Sequence, residues 1–216
     1  MPPLVLSFRI ALFATLLAAL VAIPLAHRGA RRPGIAARIV GAVTTVPLVL
    51  PPTVLGYYLL TALGPGSTVG AAFERTFGAP IAFTELGAVL AAALTALPAV
   101  FQASRAAFDE VDPSVLEVAR TLGVRPLRVF YSIELPLARA GIVAGVVLGF
   151  ARALGDFGAT MMIAGNIPGR TRTASIAIYD AMQSGDGAEA NRLALWLTGI
   201  GFACLFALGS LSRRRR

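Results

Sequence analysis

Charged and chemically reactive side chains are scarce in this sequence. Its 216 residues include no lysine, one histidine (His27) and one cysteine (Cys204), and only 14% are charged. A single cysteine excludes a disulfide framework and a cysteine-based metal site. An average soluble domain carries about 25% charged residues, whereas 56% of this chain is apolar and its mean hydropathy is +0.76. A small soluble core cannot bury this excess, so the composition predicts a membrane protein.

Five segments are long and apolar enough to cross a bilayer. A span needs about 20 apolar residues, because the hydrocarbon layer is roughly 30 Å thick and a helix rises about 1.5 Å per residue. We therefore expect an all-α, polytopic membrane protein with a single transmembrane domain over residues 1–216. The expected spans are residues 4–26, 39–63, 81–103, 141–164 and 193–211.

All 19 basic residues are arginines, and most of them cluster between the apolar segments. Four lie in residues 28–38, five in residues 105–139, and four close the chain. Short loops rich in arginine stay in the cytoplasm, so this pattern predicts an external N-terminus and a cytoplasmic C-terminus. It also argues against nucleic-acid binding, which needs a continuous basic surface. Only Arg9 precedes the first apolar stretch, which favours a retained helix over a signal peptide.

Two of the expected spans contain residues that are costly in a bilayer. Pro47, Pro51 and Pro52 remove backbone donors from the second span and must bend or break it. The result is either a kink held by packing or a broken helix that lines a water-filled path. In the fourth span, Arg152 and Asp156 are four residues apart and can pair on one helix face. This pair is either a structural clamp or part of a path for an anion.

Three other features also leave alternatives open. Gly141, Gly145 and Gly149 form a small-residue stripe that lets another helix approach closely, either within one subunit or between subunits. Glu85 enters the third span early and either extends outward to water or pairs with another span. Residues 165–172 of an external loop carry two arginines, which are either solvated charges or contacts for an anion or a delivering protein.

The longest internal loop, residues 104–137, has the pattern of two short amphipathic helices. Asp112-Pro113-Ser114 followed by Glu117 predicts a helix start in which Ser114 caps the amide of Glu117. Gly123 ends this helix, Pro126 suits the first turn of a second one, and Pro136 is expected to end that helix. The first helix carries an apolar stripe of Val115, Leu116, Ala119 and Leu122. Such a pair of helices either lies on lipid headgroups or fits a groove on a soluble partner.

The spacing of residues in this loop favours the soluble partner. The pattern E-A-A, three residues, G, nine residues, I-x-L-P runs from Glu117 to Pro136, with Val118 in place of the first alanine. On these residues the loop resembles the coupling loop of importer permeases of the ATP-binding-cassette (ABC) class. The resemblance implies contact with a separate ATPase through Ser114, Glu117, Ala119, Leu122, Gly123, Ile133, Leu135 and Pro136. A plain pair of amphipathic surface helices remains the alternative.

Nearly the whole chain resembles one branch of that family, the molybdate permease subunits. The resemblance lies in residues 47–57, 119–123 and 150–171, with Asp156 where a glutamate is expected in that branch. Sulfate permeases share part of this pattern but tend to be longer, with an extra span, so the five-span length favours molybdate over the alternative of a sulfate or thiosulfate permease. The pattern does not separate molybdate from tungstate.

The resemblance implies a type I ABC importer permease in the cytoplasmic membrane of a bacterium or archaeon. Two copies form the path across the lipid, two cytoplasmic ATPase subunits drive it, and an external oxyanion-binding protein delivers the substrate. The candidate path residues are Pro47, Pro51, Pro52, Arg152 and Asp156. The sequence contains no G-x-x-x-x-G-K-[ST] phosphate loop, so a separate chain must hydrolyse ATP. We expect neither a catalytic residue nor a metal or other cofactor in this chain.

Two other classes of membrane protein fit the sequence less well. A membrane-embedded enzyme needs clustered metal ligands or a nucleophile with a base, and the spans contain no paired acidic motif. A secondary transporter or channel usually places several titratable groups along its path, whereas Asp156 is the one deep acid here. His27 lies at the inner end of the first span and is expected to be an interfacial residue.

Overall fold

The structure is a computed structural model that describes the backbone of residues 2–213 and their side chains, apart from Arg120, Leu205 and residues 207–213. Within these bounds every regular element is helical, as the sequence predicts. A π-helical turn, Phe130–Glu134, joins α7 to α8. The α-helices are α1 (Pro3–Arg31), α2 (Ile35–Val49), α3 (Pro52–Leu63), α4 (Thr68–Phe77), α5 (Glu85–Asp109), α6 (Pro113–Thr121), α7 (Pro126–Val129), α8 (Leu135–Leu154), α9 (Gly158–Ala164), α10 (Ala174–Gln183) and α11 (Gly187–Arg213).

Three helical segments in the described part of the chain are long and apolar enough to cross a membrane: Pro3–Arg31, Glu85–Asp109 and Pro126–Leu154. Helices α2 and α3 qualify only as a pair, bent by 113° at the break between them. The prolines were expected to bend or break the second span, and the structure has a break there. The fifth expected span, residues 193–211, falls within α11, and the last three arginines of the sequence, residues 214–216, lie outside the described residues.

Helices α1, α5 and α8 pack together at the centre of the bundle through small side chains. Ala14, Ala18 and Ala22 of α1 and Ala91 and Ala92 of α5 are all 0–2% exposed. Small residues let helix backbones approach closely, and this close packing is the main source of attraction between helices in lipid. The alanine-rich composition of these two helices therefore follows from their position at the centre.

The glycine stripe on α8 contributes to the same packing. A Cβ atom added at Gly141, Gly145 or Gly149 would lie only 2.5–2.8 Å from a side chain of α5. For the first two positions the contacted side chains are Ala107 and Ala103. Of the two alternatives left open by the sequence, the structure therefore favours close packing within one subunit.

The fourth expected span, residues 141–164, is not one continuous helix, so this prediction is wrong in detail. Helix α8 ends at Leu154, and α9 begins at Gly158. Between them, Oδ2 of Asp156 accepts hydrogen bonds from the backbone amide of Thr160 at 2.9 Å and from its hydroxyl at 2.6 Å. A short polar side chain that binds the backbone in this way starts a new helix and competes with continuation of the old one.

The prediction that Pro136 ends the second loop helix is also wrong. The helix runs without interruption from Pro126 to Leu154 and changes to π-helical geometry over Phe130–Glu134. The amide of Leu135 donates to the carbonyl of Phe130, five residues earlier. Proline cannot donate to the carbonyl four residues before it, and its ring crowds that carbonyl. A π turn next to the proline accommodates this defect, so the helix continues.

The two ends of the bundle are distinct. Near the start of α1, Ser7 accepts a hydrogen bond from the amide of Ala174 in α10 at 2.6 Å, and Arg9 pairs with Glu85. Near the end of α1, Arg31 pairs with Glu134, close to the loop that contains α6 and α7. The first end therefore holds the loops expected outside the membrane, and the second holds the loop expected inside.

Between these ends, much of the helix surface is apolar and exposed. Leu16 and Leu20 of α1 are 57% and 73% exposed, and Trp196 and Phe206 of α11 are 63% and 81% exposed. Large exposed apolar patches are rare on soluble monomers. This surface is suited to contact with lipid or with a second membrane subunit.

Candidate functional site

Helix α6 is the first helix of the predicted internal loop, and the E-A-A…G pattern begins in it. Oδ1 of Asp112 accepts a hydrogen bond from the backbone amide of Ser114 at 2.8 Å. This backbone hydrogen bond lowers the pKa of Asp112 from its usual value. The prediction that Ser114 caps the helix is therefore wrong, because the helix starts at Pro113 and Asp112 takes the capping position. Aspartate is among the best residues for that position, and proline suits the first helical position after it.

Gly123 ends α6, as the sequence predicts. It has a φ of +71°, in the left-handed region that glycine adopts without strain. The amide of Val124 donates to the carbonyl of Ala119 at 3.1 Å, which is the long bond of a Schellman turn. A Cβ added at Gly123 would meet nothing within 4 Å. Glycine is therefore required here by the backbone conformation, and lack of space plays no part.

The predicted apolar stripe of α6 is only partly buried. Leu116 and Ala119 are 4% and 5% exposed, whereas Val115 is 40% and Leu122 is 76% exposed. Leu122 lies beyond Thr121, the last residue of α6, so it is not held on the buried helix face. Leu127, in the next helix, is 73% exposed. The loop thus leaves large apolar side chains uncovered at the end of the bundle.

The residues of the loop pattern fall into an exposed group and an anchored group. Ser114, Glu117, Leu122 and Gly123 are exposed. Ala119 is buried, and Ile133 and Leu135 pack against the hydrophobic core, while Pro136 lies in the first turn of α8 with its side chain exposed. The exposed group can meet a partner, and the anchored group fixes the loop to the membrane helices.

The two broken helices meet in space. A Cβ added at Gly158, the first residue of α9, would lie 3.0 Å from Cβ of Pro52, the first residue of α3. A Cβ added at Gly56 would lie 2.8 Å from the carbonyl oxygen of Ala159. The break that contains Pro51 therefore touches the break that follows α8. Irregular backbone at membrane depth is tolerated only beside protein or water, which makes this meeting point a candidate path.

Arg152 and Asp156 form the predicted pair, but their environments differ. Nη1 of Arg152 is 3.7 Å from Oδ1 of Asp156, and the two side chains are 37% and 1% exposed. The other carboxylate oxygen of Asp156 is bound to Thr160, while Oδ1 has no hydrogen-bond partner among the described residues. Asp156 thus holds the start of α9, and Arg152 keeps part of its guanidinium accessible.

At the end of the bundle away from α6 and α7, a polar network fixes the loop of residues 165–172. Nε of Arg172 donates to Oδ1 of Asn166 at 2.6 Å, and its Nη1 lies 3.0 Å from a carboxylate oxygen of Asp180. Thr171 is fully buried, whereas Arg170 is exposed and lines a shallow cavity. Arg172 therefore has a structural role in this loop, and Arg170 is the arginine that a ligand or partner could reach.

The start of α5 resolves another alternative. Nε of Arg9 donates to Oε1 of Glu85 at 2.6 Å, so Glu85 pairs with α1.

Among the described residues, no group of three or more His, Cys, Asp and Glu side chains could hold a metal ion.

Sequence reasoning missed the ion cluster of Arg31, His27 and Glu134. Glu134 occupies the unspecified position of I-x-L-P, and Arg31 is 103 residues away. The one available sequence signal was a glutamate between an isoleucine and a leucine, and this signal does not indicate which residue pairs with it.

The chain matches the family described as "binding-protein-dependent transport system inner membrane component" over residues 14–215. It is 40% identical over 209 residues to the molybdenum transport system permease protein ModB of Azotobacter vinelandii, covering 97% of this chain and 92% of that protein. It is 44% identical over 163 residues to ModB of Escherichia coli K12, covering 76% and 71%. The sulfate transport system permease protein CysT of Salmonella typhimurium is 32% identical over 173 residues, covering 80% and 62%.

The fold agrees with solved importer structures. A chain of the inward-facing MetNI methionine ABC transporter superposes with a TM-score of 0.73 at 16% identity, covering 97% of this chain and 92% of that one. At this identity the likeness concerns the fold alone, whereas the family match and the relatives near 40% identity extend over most of the sequence. This chain therefore belongs to the family of binding-protein-dependent transport system inner membrane components and has the fold of an ABC importer permease.

Proposed function

We propose that this chain is the membrane-spanning permease subunit of an ATP-driven molybdate importer. The observation that carries this proposal is the 40% identity to a molybdenum permease over 97% of the chain. The identity to the sulfate permease is lower, at 32%. Tungstate has the same charge and tetrahedral shape as molybdate and is the nearest competing substrate.

In this proposal, two copies of the chain form the path, two cytoplasmic ATPase subunits drive it, and an external oxyanion-binding protein delivers the anion. Leu122 and Leu127 supply an exposed apolar surface for the ATPase, and Glu117 supplies a charged contact beside it. Closure of the ATPase pair moves this loop and shifts the helices between inward-open and outward-open states. The shift requires that the loop make different contacts with the ATPase in the two states.

We place the path at the meeting point of the two broken helices. A dianion that leaves water needs positive charge, bound water or oriented amides to replace its hydration. The partly exposed guanidinium of Arg152 supplies the charge, and the breaks at Pro51 and after Leu154 free backbone groups nearby. Pro47 and Pro52 flank the first break and hold its geometry. Asp156 neutralises Arg152 only in part, because its Oδ1 lies 3.7 Å from Nη1 of Arg152 and makes no hydrogen bond to it.

The arginine distribution supports an external N-terminus and a cytoplasmic C-terminus. Two single-cysteine variants test this orientation after the native Cys204 is replaced by serine. Leu127→Cys and Met182→Cys lie at opposite ends of the bundle, and the native side chains are 73% and 66% exposed. An impermeant thiol reagent added to intact cells should label only Met182→Cys. Labelling of Leu127→Cys under the same conditions would put the loop on the outer side and refute its contact with an ATPase.

Uptake by the reconstituted complex tests the substrate. Proteoliposomes that contain the permease, its ATPase and its binding protein should accumulate labelled molybdate only when ATP is present. Equimolar tungstate should compete, and equimolar sulfate should have little effect. Strong inhibition by sulfate would move the assignment to the sulfate permeases. Absence of ATP-dependent uptake of all three anions by an assembled complex would refute the proposed function.

A further inference from the structure

A buried ion cluster lies outside the residues assigned so far. Glu134, in the π turn, is only 6% exposed. Its Oε2 accepts a hydrogen bond from Nε of Arg31 at 2.6 Å and lies 3.0 Å from Nε2 of His27. The rings of Phe108 and Phe130 pack edge-on against His27, with centroid distances of 5.1 and 4.6 Å. A carboxylate is costly to bury unless it is paired, so its burial here depends on the two basic side chains of α1.

Arg31 binds both ends of the coupling loop. Its Nη2 donates to the carbonyl oxygen of Phe108 at 3.0 Å, in the last turn of α5. Its Nε donates to Glu134, the last residue before α8. Residues 109–133, with α6 and α7, lie between these two attachment points. We call the guanidinium of Arg31, the carboxylate of Glu134 and the carbonyl of Phe108 the loop clamp.

The clamp is joined to the external end of the protein by a single helix. Helix α1 is 29 residues long and packs against both α5 and α8. Near its start, the hydroxyl of Ser7 accepts a hydrogen bond from the amide of Ala174, the first residue of α10, and Arg9 forms an ion pair with Glu85. A displacement of the clamped loop is therefore passed to one continuous helix that reaches the loops on the other side.

We propose that Arg31 and Glu134 are positioning residues that fix both ends of the coupling loop to α1, so that the loop, α1, α5 and α8 move as one unit. This inference rests on the proposed function, because it assigns the clamp to the transfer of movement from the ATPase. The alternative is an ion cluster that only stabilises the folded chain. Arginine suits the clamp because its planar fork donates in two directions at once, which a lysine ammonium on a flexible stem does not reproduce.

Arg31→Lys is the decisive variant, because lysine preserves the charge next to Glu134 but loses the forked contact to Phe108. Glu134→Gln removes the charge of the partner. Arg32→Lys and Glu110→Gln are matched controls, since both native side chains are exposed and lie close to the clamp in sequence. The complete complex is reconstituted with its ATPase and binding protein. Three quantities are measured: the ATPase that co-purifies, the melting temperature, and the stimulation of ATP hydrolysis by molybdate-loaded binding protein.

Both clamp variants should retain the ATPase, and stimulation should fall by about 5-fold or more, the lower range of measured couplings between sites. Arg31→Lys keeps both charges and should melt near the wild-type temperature, whereas Glu134→Gln leaves the Arg31 guanidinium, 16% exposed, without its counter-ion and should melt at a lower temperature. The double variant should be no worse than the single ones, because the two residues act through one contact. The controls should behave as wild type.

Wild-type stimulation in Arg31→Lys would overturn the proposal. Loss of the ATPase or of folding in Arg31→Lys, with intact controls, would also overturn it, because the cluster would then be structural only. If the wild-type complex itself is not stimulated by binding protein loaded with molybdate, tungstate or sulfate, the importer function fails, and the clamp's role fails with it. A stimulated wild type with an unaffected Arg31→Lys rejects the clamp alone.

Discussion

Gly123→Ala tests whether the exact shape of the coupling loop matters for contact with the ATPase. An L-residue in the left-handed conformation costs about 1–2 kcal/mol, and the φ of Gly123 is +71°. The added Cβ meets nothing within 4 Å, so no steric cost is added. The equilibrium constant for forming the turn should fall roughly 5- to 30-fold. Glu117 and Leu122 then lose their fixed orientation relative to α7, and both the co-purified ATPase and the ATP-driven uptake should decrease.

Gly78→Ala is a matched control on the opposite side of the membrane. Gly78 ends α4 with a φ of +72°, and an added Cβ there also meets nothing within 4 Å. The backbone cost is therefore the same in both variants, and their thermal stabilities should fall by similar amounts. Only Gly123→Ala should lose ATPase. The reasoning is refuted if Gly78→Ala releases as much ATPase as Gly123→Ala, or if Gly123→Ala releases none.

Three further predictions concern packing, the path and the start of α6. Gly145→Val should destabilise the folded chain by about 1–3 kcal/mol, because the added Cβ would lie 2.8 Å from Cβ of Ala103. Gly199→Val is the control and should not destabilise it, since a Cβ added there meets nothing within 4 Å. Equal melting temperatures of the two variants would contradict this packing. Arg152→Gln should slow uptake at low molybdate by roughly 10-fold or more through loss of a charged hydrogen bond, and a wild-type rate would exclude Arg152 from the path. Asp112→Ala should speed amide hydrogen exchange in α6 at pH 7, because it removes the carboxylate that caps the start of the helix. The charged carboxylate is the stronger acceptor, so the difference from wild type should disappear as the pH falls through the lowered pKa of Asp112. A difference that persists at acidic pH would show that its charge is not involved.

Features set by local chemistry could be predicted from the sequence. The break at Pro51 follows from missing backbone donors, the end of α6 from the conformational freedom of Gly123, and the start of α7 from Pro126. Each depends on one residue and its immediate neighbours. The family resemblance added the functional meaning of the spacing between them, which local chemistry does not supply.

Features that depend on a distant partner could not be predicted. The glycine stripe on α8 has the same sequence whether it packs on its own α5 or on another subunit. Glu85 is equally compatible with water and with Arg9, and only the fold brings Arg9 close. The break at Asp156 and the continuation through Pro136 were missed because each has a local compensation, a hydrogen bond to Thr160 and a π turn, that residue propensities do not reveal.

The fixed gap of nine residues in the loop pattern has a geometric explanation in this fold. Residues 126–154 form one uninterrupted helix, so the direction of Ile133 and Glu134 relative to α6 is set by the number of residues after Gly123. One inserted residue would rotate the following positions by about 100° around the helix axis. Ile133 would then leave the core and Glu134 would leave Arg31. The spacing is therefore constrained at both ends, at Gly123 by the turn that exposes α6 and at Glu134 by the buried contact with α1.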